Sequence, residues 1–446
     1  MIKLLLQKLL FFFSFLNFNY AKSQDFYIVS IANVSERMVN IKARLFPKND
    51  TLLMTPYGAT HLKDGWATFI RNLNATNNNG ERIELRRLEN GVFIIPPENK
   101  GEPINLTYQV AILHDQGKWP FGYKEAAYVK NDMLMTTGNA LFITRMDMDS
   151  AQVMFQLKHF YRVTNGWREI APNHFIVNGA EELVWTALTI GDYNLVEVPA
   201  GKMKVTLAFG NELTDAKRMI ETTIQKAVNK YKIIYGAYPD KNQHIANKSV
   251  YIINVDTSYV GGGAAFVNSI SILLNRKPLI TNQANTTTWH HILIHEIGHL
   301  WNGISLKTDE KTEWFSEGVT DFIAYKIERE MGLFKKSEWN TLVAQKQNQY
   351  EQAKKKNRVT LEQAGSDKRR NYDIIYSGGF LFALKLDGEI KSASKGKKGI
   401  EDFLKNIYSV FANTKKTVSK DNVHEVAENT CGCKLDKLFS ELLVKD

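Results

Sequence analysis

Cysteine is almost absent from this chain: two residues in 446, Cys431 and Cys433, with one residue between them. A bridge closing so short a loop would be strained, although an oxidising compartment permits one. No further cysteine joins them as zinc ligands, so the pair reads as structural or redox-neutral. Long apolar runs are equally scarce. The longest, Leu9 to Phe18, is too short for a bilayer, which needs about 20 residues. No internal repeat of fixed period occurs. Gly261-Gly-Gly263 lacks the Gly-x-x-x-x-Gly-Lys spacing of a phosphate-binding loop.

What is present is ordinary globular composition, 44% hydrophobic and 23% charged, with a formal charge of +10. Much of the excess sits in runs such as Lys354-Lys-Lys-Asn-Arg358 and reads as solvated surface. No nucleic-acid partner is expected. Lys3 and Lys8, the apolar run and Ala21-Lys22-Ser23 together resemble a secretory signal. Residues 1–23 are therefore expected to be a signal peptide. The mature chain is expected to be exported, to the periplasm or beyond the cell, without a transmembrane segment or lipid anchor.

The pattern predicts an α+β multidomain chain. Residues 24–210 alternate as Met38-Val-Asn-Ile-Lys-Ala-Arg-Leu45 does, with turn clusters such as Asn77-Asn-Asn-Gly80 between. This predicts a sandwich-like β domain. Past Asn211 a helical spacing follows (Ala216, Ile220, Ile224, Ala227, Tyr231), then strands at 248–255 and 269–274. Residues 211–330 are expected to form a catalytic α+β domain, and 331–446 a basic helical domain.

The chemistry concentrates in His295-Glu296-Ile-Gly-His299. On a helix, positions four apart share a face, so His295 and His299 can hold one ion with Glu296 beside it. Thr286-Thr-Thr288 offers capping hydroxyls, and Asn302-Gly303 a stop. A catalytic zinc takes three protein ligands and keeps a position open. Eighteen residues after His299 comes Glu317, in Trp314-Phe-Ser-Glu-Gly-Val-Thr-Asp321. Glu317 is the third candidate ligand, and Asp321 could accept the second ring N–H of a ligand histidine. One Zn2+ per chain is expected, with Glu296 as base for its water. Tyr376 precedes a Gly-Gly step and an apolar helix; its phenol could stabilise an oxyanion, or simply fill the core. His291 could line the cleft or start the helix. Gly262, Gly263 and Ala264 precede a strand and suggest an edge where a peptide approaches closely.

These motifs resemble the gluzincin metallopeptidases, the clan of thermolysin and aminopeptidase N. The closer likeness is to the glycyl aminopeptidase family, whose members often carry a PDZ domain. Leu300-Trp-Asn302, Trp314 to Thr320, Tyr376, Trp119-Pro, Glu125-Ala-Ala-Tyr128 and Gly432-Cys-Lys-Leu carry it. The resemblance implies zinc on His295, His299 and Glu317, Glu296 as general base and Tyr376 as transition-state stabiliser. It implies a thermolysin-like catalytic domain between a β domain and a helical one. Two departures stand out. The family's Gly-Gly-x-Glu-His segment aligns with Gly262 to Phe266, where Ala265 replaces the glutamate that would bind a free amine. The PDZ domain is also missing. The expected activity is hydrolysis of peptides or proteins, as an aminopeptidase. An endopeptidase of the same fold, and a non-catalytic binding protein on a peptidase scaffold, are the alternatives.

Overall fold

The structure, a computed structural model, describes residues 24–114, 119, 126–239, 250–257, 262–274, 283–333 and 335–443. The expected leader, Glu125 and Gly261 lie outside them. The chain divides by contact into two compact units. The first comprises the chain up to Ile112 with Gly138–His159 and Trp167–Val184; the second comprises Leu113–Thr137, Phe160–Gly166 and everything from Trp185 onward.

The first unit is built on a seven-stranded sheet. Its order is Arg168–Ala171, His174–Val177, Ala151–Leu157, Asp25–Ile31, Met38–Leu45, Ile104–Ala111, Ile70–Thr76. All neighbours are antiparallel except Asp25–Ile31 beside Ala151–Leu157. The alternation in the sequence is the alternation of faces: Val39, Ile41, Ala43 and Leu45 are buried, and Asn40, Lys42 and Arg44 are exposed. A second sheet of three strands joins Thr51–Leu53, Val92–Ile94 and Arg86–Arg87. The Asp25 carboxylate is fully buried, where it pairs with Arg145 Nε at 2.8 Å and accepts the Phe46 N–H.

The second unit holds a four-stranded and a five-stranded sheet. The latter runs β1 (Asn194–Ala200), β2 (Met203–Phe209), β3 (Val250–Thr257), β5 (Ser269–Leu274), β4 (Gly262–Phe266). The division differs from the boundary near 210 read off the sequence. β1 and β2 form a hairpin that looks continuous with the preceding strands, yet β2 pairs in parallel with β3 across an intervening helix. That pairing carries residues 194–209 into the unit of the metal motif.

Six helices matter to the site: α1 (Lys217–Tyr235), α2 (Gln283–His299), α3 (Thr320–Glu330), α4 (Lys336–Asn357), α5 (Tyr372–Ala393) and α6 (Ile400–Phe411). Helix α1 buries Ile220, Ile224, Ala227, Val228, Tyr231 and Tyr235 along one stripe, as its spacing predicted. Helix α2 starts at Gln283, so Thr286–Thr288 lie inside it and are not its caps. The helices after Met331 have no separate core. Phe380, Phe382, Phe403 and Tyr408 belong to the same apolar cluster as Leu293, Ile294 and Ile297 of α2.

A π-helical turn, Trp314–Val319, leads into α3 and packs on α5 at two glycines. A Cβ on Gly318 would lie 2.8 Å from the Ile375 carbonyl oxygen; one on Gly379 would lie 2.8 Å from Gly318 Cα and closer still to the Trp314 carbonyl. The obstacle is backbone on both sides. Gly379→Ala should therefore push the two elements apart, costing about 1–3 kcal/mol or more. A thermal melt should show Tm lower by at least a few degrees, and an unchanged Tm would refute the contact.

Candidate metal centre

Three donor atoms converge between α2 and the π-helical turn. His295 Nε2 and His299 Nε2 are 3.0 Å apart, and Glu317 Oε2 is 3.2 Å from each. All three residues are buried. The sequence spacing explains the imidazole pair, because one helical turn separates them on a single face. Glu317 comes from the next element, and three contacts hold that element in place. Asn302, fully buried, donates its amide to the Phe315 carbonyl (2.9 Å) and to Thr320 Oγ1 (3.0 Å). Gly298 lets α2 approach the Tyr231 hydroxyl and Thr320, which a Cβ would meet at 2.5 and 2.8 Å. Tyr231 in turn donates to the Ile294 carbonyl at 3.0 Å and stacks on Trp301.

The orientation of two of the ligands is fixed from outside. His299 Nδ1 lies 2.9 Å from the Asn302 carbonyl oxygen. A carbonyl only accepts, so Nδ1 carries the proton and the Nε2 lone pair faces the other donors. Lys368 Nζ lies 2.6 Å from Glu317 Oε1, the oxygen facing away from the histidines, and 2.9 Å from Glu313. Burial alone would raise the Glu317 pKa, but the charges of Lys368 and His299 outweigh it and hold the carboxyl well below its ordinary range.

Asp321 is differently engaged than its spacing suggested. Its Oδ1 is 2.8 Å from His291 Nε2 and 3.7 Å from His295 Nδ1, and its Oδ2 pairs with Lys346 at 2.7 Å. Burial opposes ionisation of Asp321, yet Lys346 and His291 keep it below the usual carboxylate range. His291 lies within α2, not at its start. Burial would lower its pKa, but Glu328 and Asp321 on its two ring nitrogens raise it to about 9.

Glu296, also buried, lies against the edge strand β4. A Cβ on Gly263 would meet the Glu296 side chain, with Cδ and Oε1 at 2.6 Å. Gly262, Gly263 and Ala264 thus lie on an edge, as expected, and Ala265 faces Ile270 across it. Tyr376, on α5, stacks on the His295 ring at 5.9 Å between centroids and on Tyr372 at 4.1 Å. Burial, then the Glu317 charge, raises its pKa well above the ordinary phenol value. The sequence reading missed Lys368, Lys346 and the two roles of Asn302. Asn302 had a local signal, following the motif directly; the lysines had none.

Around a tetrahedral zinc, bonds of about 2.0–2.2 Å place the ligand atoms ~3.3 Å apart. The two nitrogens and the carboxylate oxygen lie close to that separation, and the outer atoms of His299 and Glu317 are already hydrogen-bonded. The donor set fits the ion. Two other groups among the described residues could gather round a cation: His291, His295 and Asp321, and His424, Glu428 and Asp436. Residues 246–441 match the Peptidase family M1 domain, and residues 27–184 the Peptidase M61 N-terminal domain.

The chain carries the catalytic domain of a zinc metallopeptidase. No curated protein matches the peptidase. Solved structures do. An aminopeptidase N family protein from Idiomarina loihiensis aligns with TM-score 0.79 and 16% identity, over 95% of this chain and 76% of that one. A mutant M1 zinc metallopeptidase from Deinococcus radiodurans aligns with TM-score 0.59 and 13% identity, over 95% and 94%. The same enzyme bound to a Tyr-Ser-Ala substrate aligns with TM-score 0.60 and 13% identity, again over 95% and 94%. At such identities the likeness is one of fold. Cys431 and Cys433 of the peptidase form a disulfide.

Proposed function

We propose that the protein is an exported aminopeptidase with one zinc ion held by His295, His299 and Glu317. The observation that carries this is the convergence of three oriented donor atoms beside Glu296. When bound, zinc supplies Lewis acidity toward water and a carbonyl oxygen. The protein's own groups do the rest. Glu296 takes a proton from the attacking water and hands it to the leaving amine nitrogen. Tyr376 keeps its proton and donates a hydrogen bond to the oxygen that becomes negative. The edge strand β4 offers free backbone groups along which a peptide can lie extended. Asp321 and His291 support the face of His295 away from the ion.

The aminopeptidase reading is supported by the relatives, one an aminopeptidase N family protein and one bound to a tripeptide. Export is supported by the signal-like residues 1–23 and by the disulfide, a bond that persists in oxidising compartments. Among the described residues no helix is long and apolar enough to cross a membrane. A second reading, endopeptidase, is favoured by one observation: β4 carries no acidic side chain from Gly262 to Phe266. A free α-amine therefore finds no carboxylate on that strand.

Paired peptides, free and N-acetylated, separate these readings. The expected result is faster cleavage of the free peptide, abolished by a zinc chelator and restored by added zinc. Preference for the acetylated peptide would exclude the aminopeptidase reading. Chelator-resistant cleavage would exclude the metal.

A further inference from the structure

Lys368 stands outside every motif of the site, yet its ammonium reaches a proposed metal ligand. It lies 2.6 Å from Glu317 Oε1, while Glu317 Oε2 is the atom that faces both histidines. Its own placement is over-determined. The segment before it is capped by Thr360, whose hydroxyl accepts the Gln363 N–H. At Gly365 that segment presses on the strand of chain entering the π-helical turn, where a Cβ would meet the Glu310 carbonyl carbon at 2.6 Å. After it, Asn371 donates its amide to the Ala364 carbonyl and its backbone N–H to the Asp367 carbonyl, each at 3.0 Å. The turn bearing Lys368 is thus closed on itself and seated beside the residues that carry Glu317.

We propose that Lys368 is a positioning residue: it holds the outer oxygen of Glu317, so that the carboxylate offers zinc a single oxygen in a fixed orientation. The inference rests on Glu317 being a ligand. Two arguments favour positioning over a plain stabilising ion pair. Glu313, 2.9 Å away and more exposed, would satisfy the lysine by itself. The bond to Glu317 also goes to the oxygen turned from the histidines, the arrangement by which outer groups orient a metal ligand. With that oxygen released, the carboxylate can rotate and offer both atoms, and the order gained before metal binding is lost. The positive charge of Lys368 opposes a nearby cation, so tighter zinc binding on its removal would mean that repulsion dominates and positioning does not.

The test uses the full-length protein and measures zinc affinity by chelator competition, together with the visible spectrum of the cobalt-substituted form. Lys368→Met should weaken zinc about 10–100-fold and shift the cobalt bands. Lys368→Arg should restore much of both. If the methionine variant does not fold, Lys368→Gln, which keeps an N–H donor without the charge, takes its place and should fall between. Unchanged affinity with an unchanged cobalt spectrum, or tighter zinc, overturns the proposal. Glu317→Gln is the control for the ligand itself. If the wild type fails to hold zinc, or the control binds as tightly as wild type, the ligand assignment fails instead.

Discussion

Glu296→Gln should abolish peptide cleavage and leave zinc in place. The two side chains have the same length, so glutamine can occupy the same space against Gly263. Glu296 is not among the three convergent donors, so the metal loses no ligand. What disappears is the capacity to accept a proton and return it. Positioned acid–base groups contribute roughly 10²–10⁴-fold, and in the proposed mechanism this one serves both water and leaving group, so kcat should fall at least 10³-fold within that range. The measurement is kcat on a peptide with metal content determined on the same sample. Full zinc with turnover near wild type would remove Glu296 from the mechanism. Loss of zinc along with activity would instead make Glu296 part of the metal's hold.

How much of this was legible beforehand follows from the range of the interactions. The imidazole pair and its neighbouring base lie within five residues, so helical geometry alone places them. Glu317 was legible because its own local pattern starts a helix. The β character of Met38–Leu45 was legible because one face is buried and one exposed, residue by residue. The boundary at 210 was not, since the strand Met203–Phe209 pairs on one side with its hairpin neighbour and on the other with the strand at 250, beyond a helix. Asp321 shows the same limit within the site. The i+4 relation to Glu317 was right as spacing, but the nearer imidazole is that of His291, from another helix, with Lys346 from a third. Lys368 lies 51 residues from the carboxylate it holds. No periodicity or motif records a pairing of that length. Local chemistry was therefore readable, and the second layer that fixes it was not.

Gly263→Ala should disable the enzyme while leaving its fold and metal nearly intact. The backbone at Gly263 is extended and sits in an edge strand, a conformation alanine adopts freely, so no strain arises from the substitution itself. The new methyl would meet Glu296 at Cγ, Cδ and Oε1, the last two at 2.6 Å. None of these is backbone. The side chain of Glu296 can turn aside, which makes the change cheap for stability and expensive for catalysis. A base displaced by about 1 Å can lose 10²-fold in rate, and this one must move at least that far to clear a methyl group. Expected, then, are kcat lowered 10²-fold or more, zinc retained, and Tm within a few degrees of wild type. Gly379→Ala supplies the contrast, because there the obstacle is backbone and the cost falls on stability. Wild-type kcat in the Gly263→Ala enzyme would mean that Glu296 does not work from the position it occupies against β4, and the assignment of the base would have to be rebuilt.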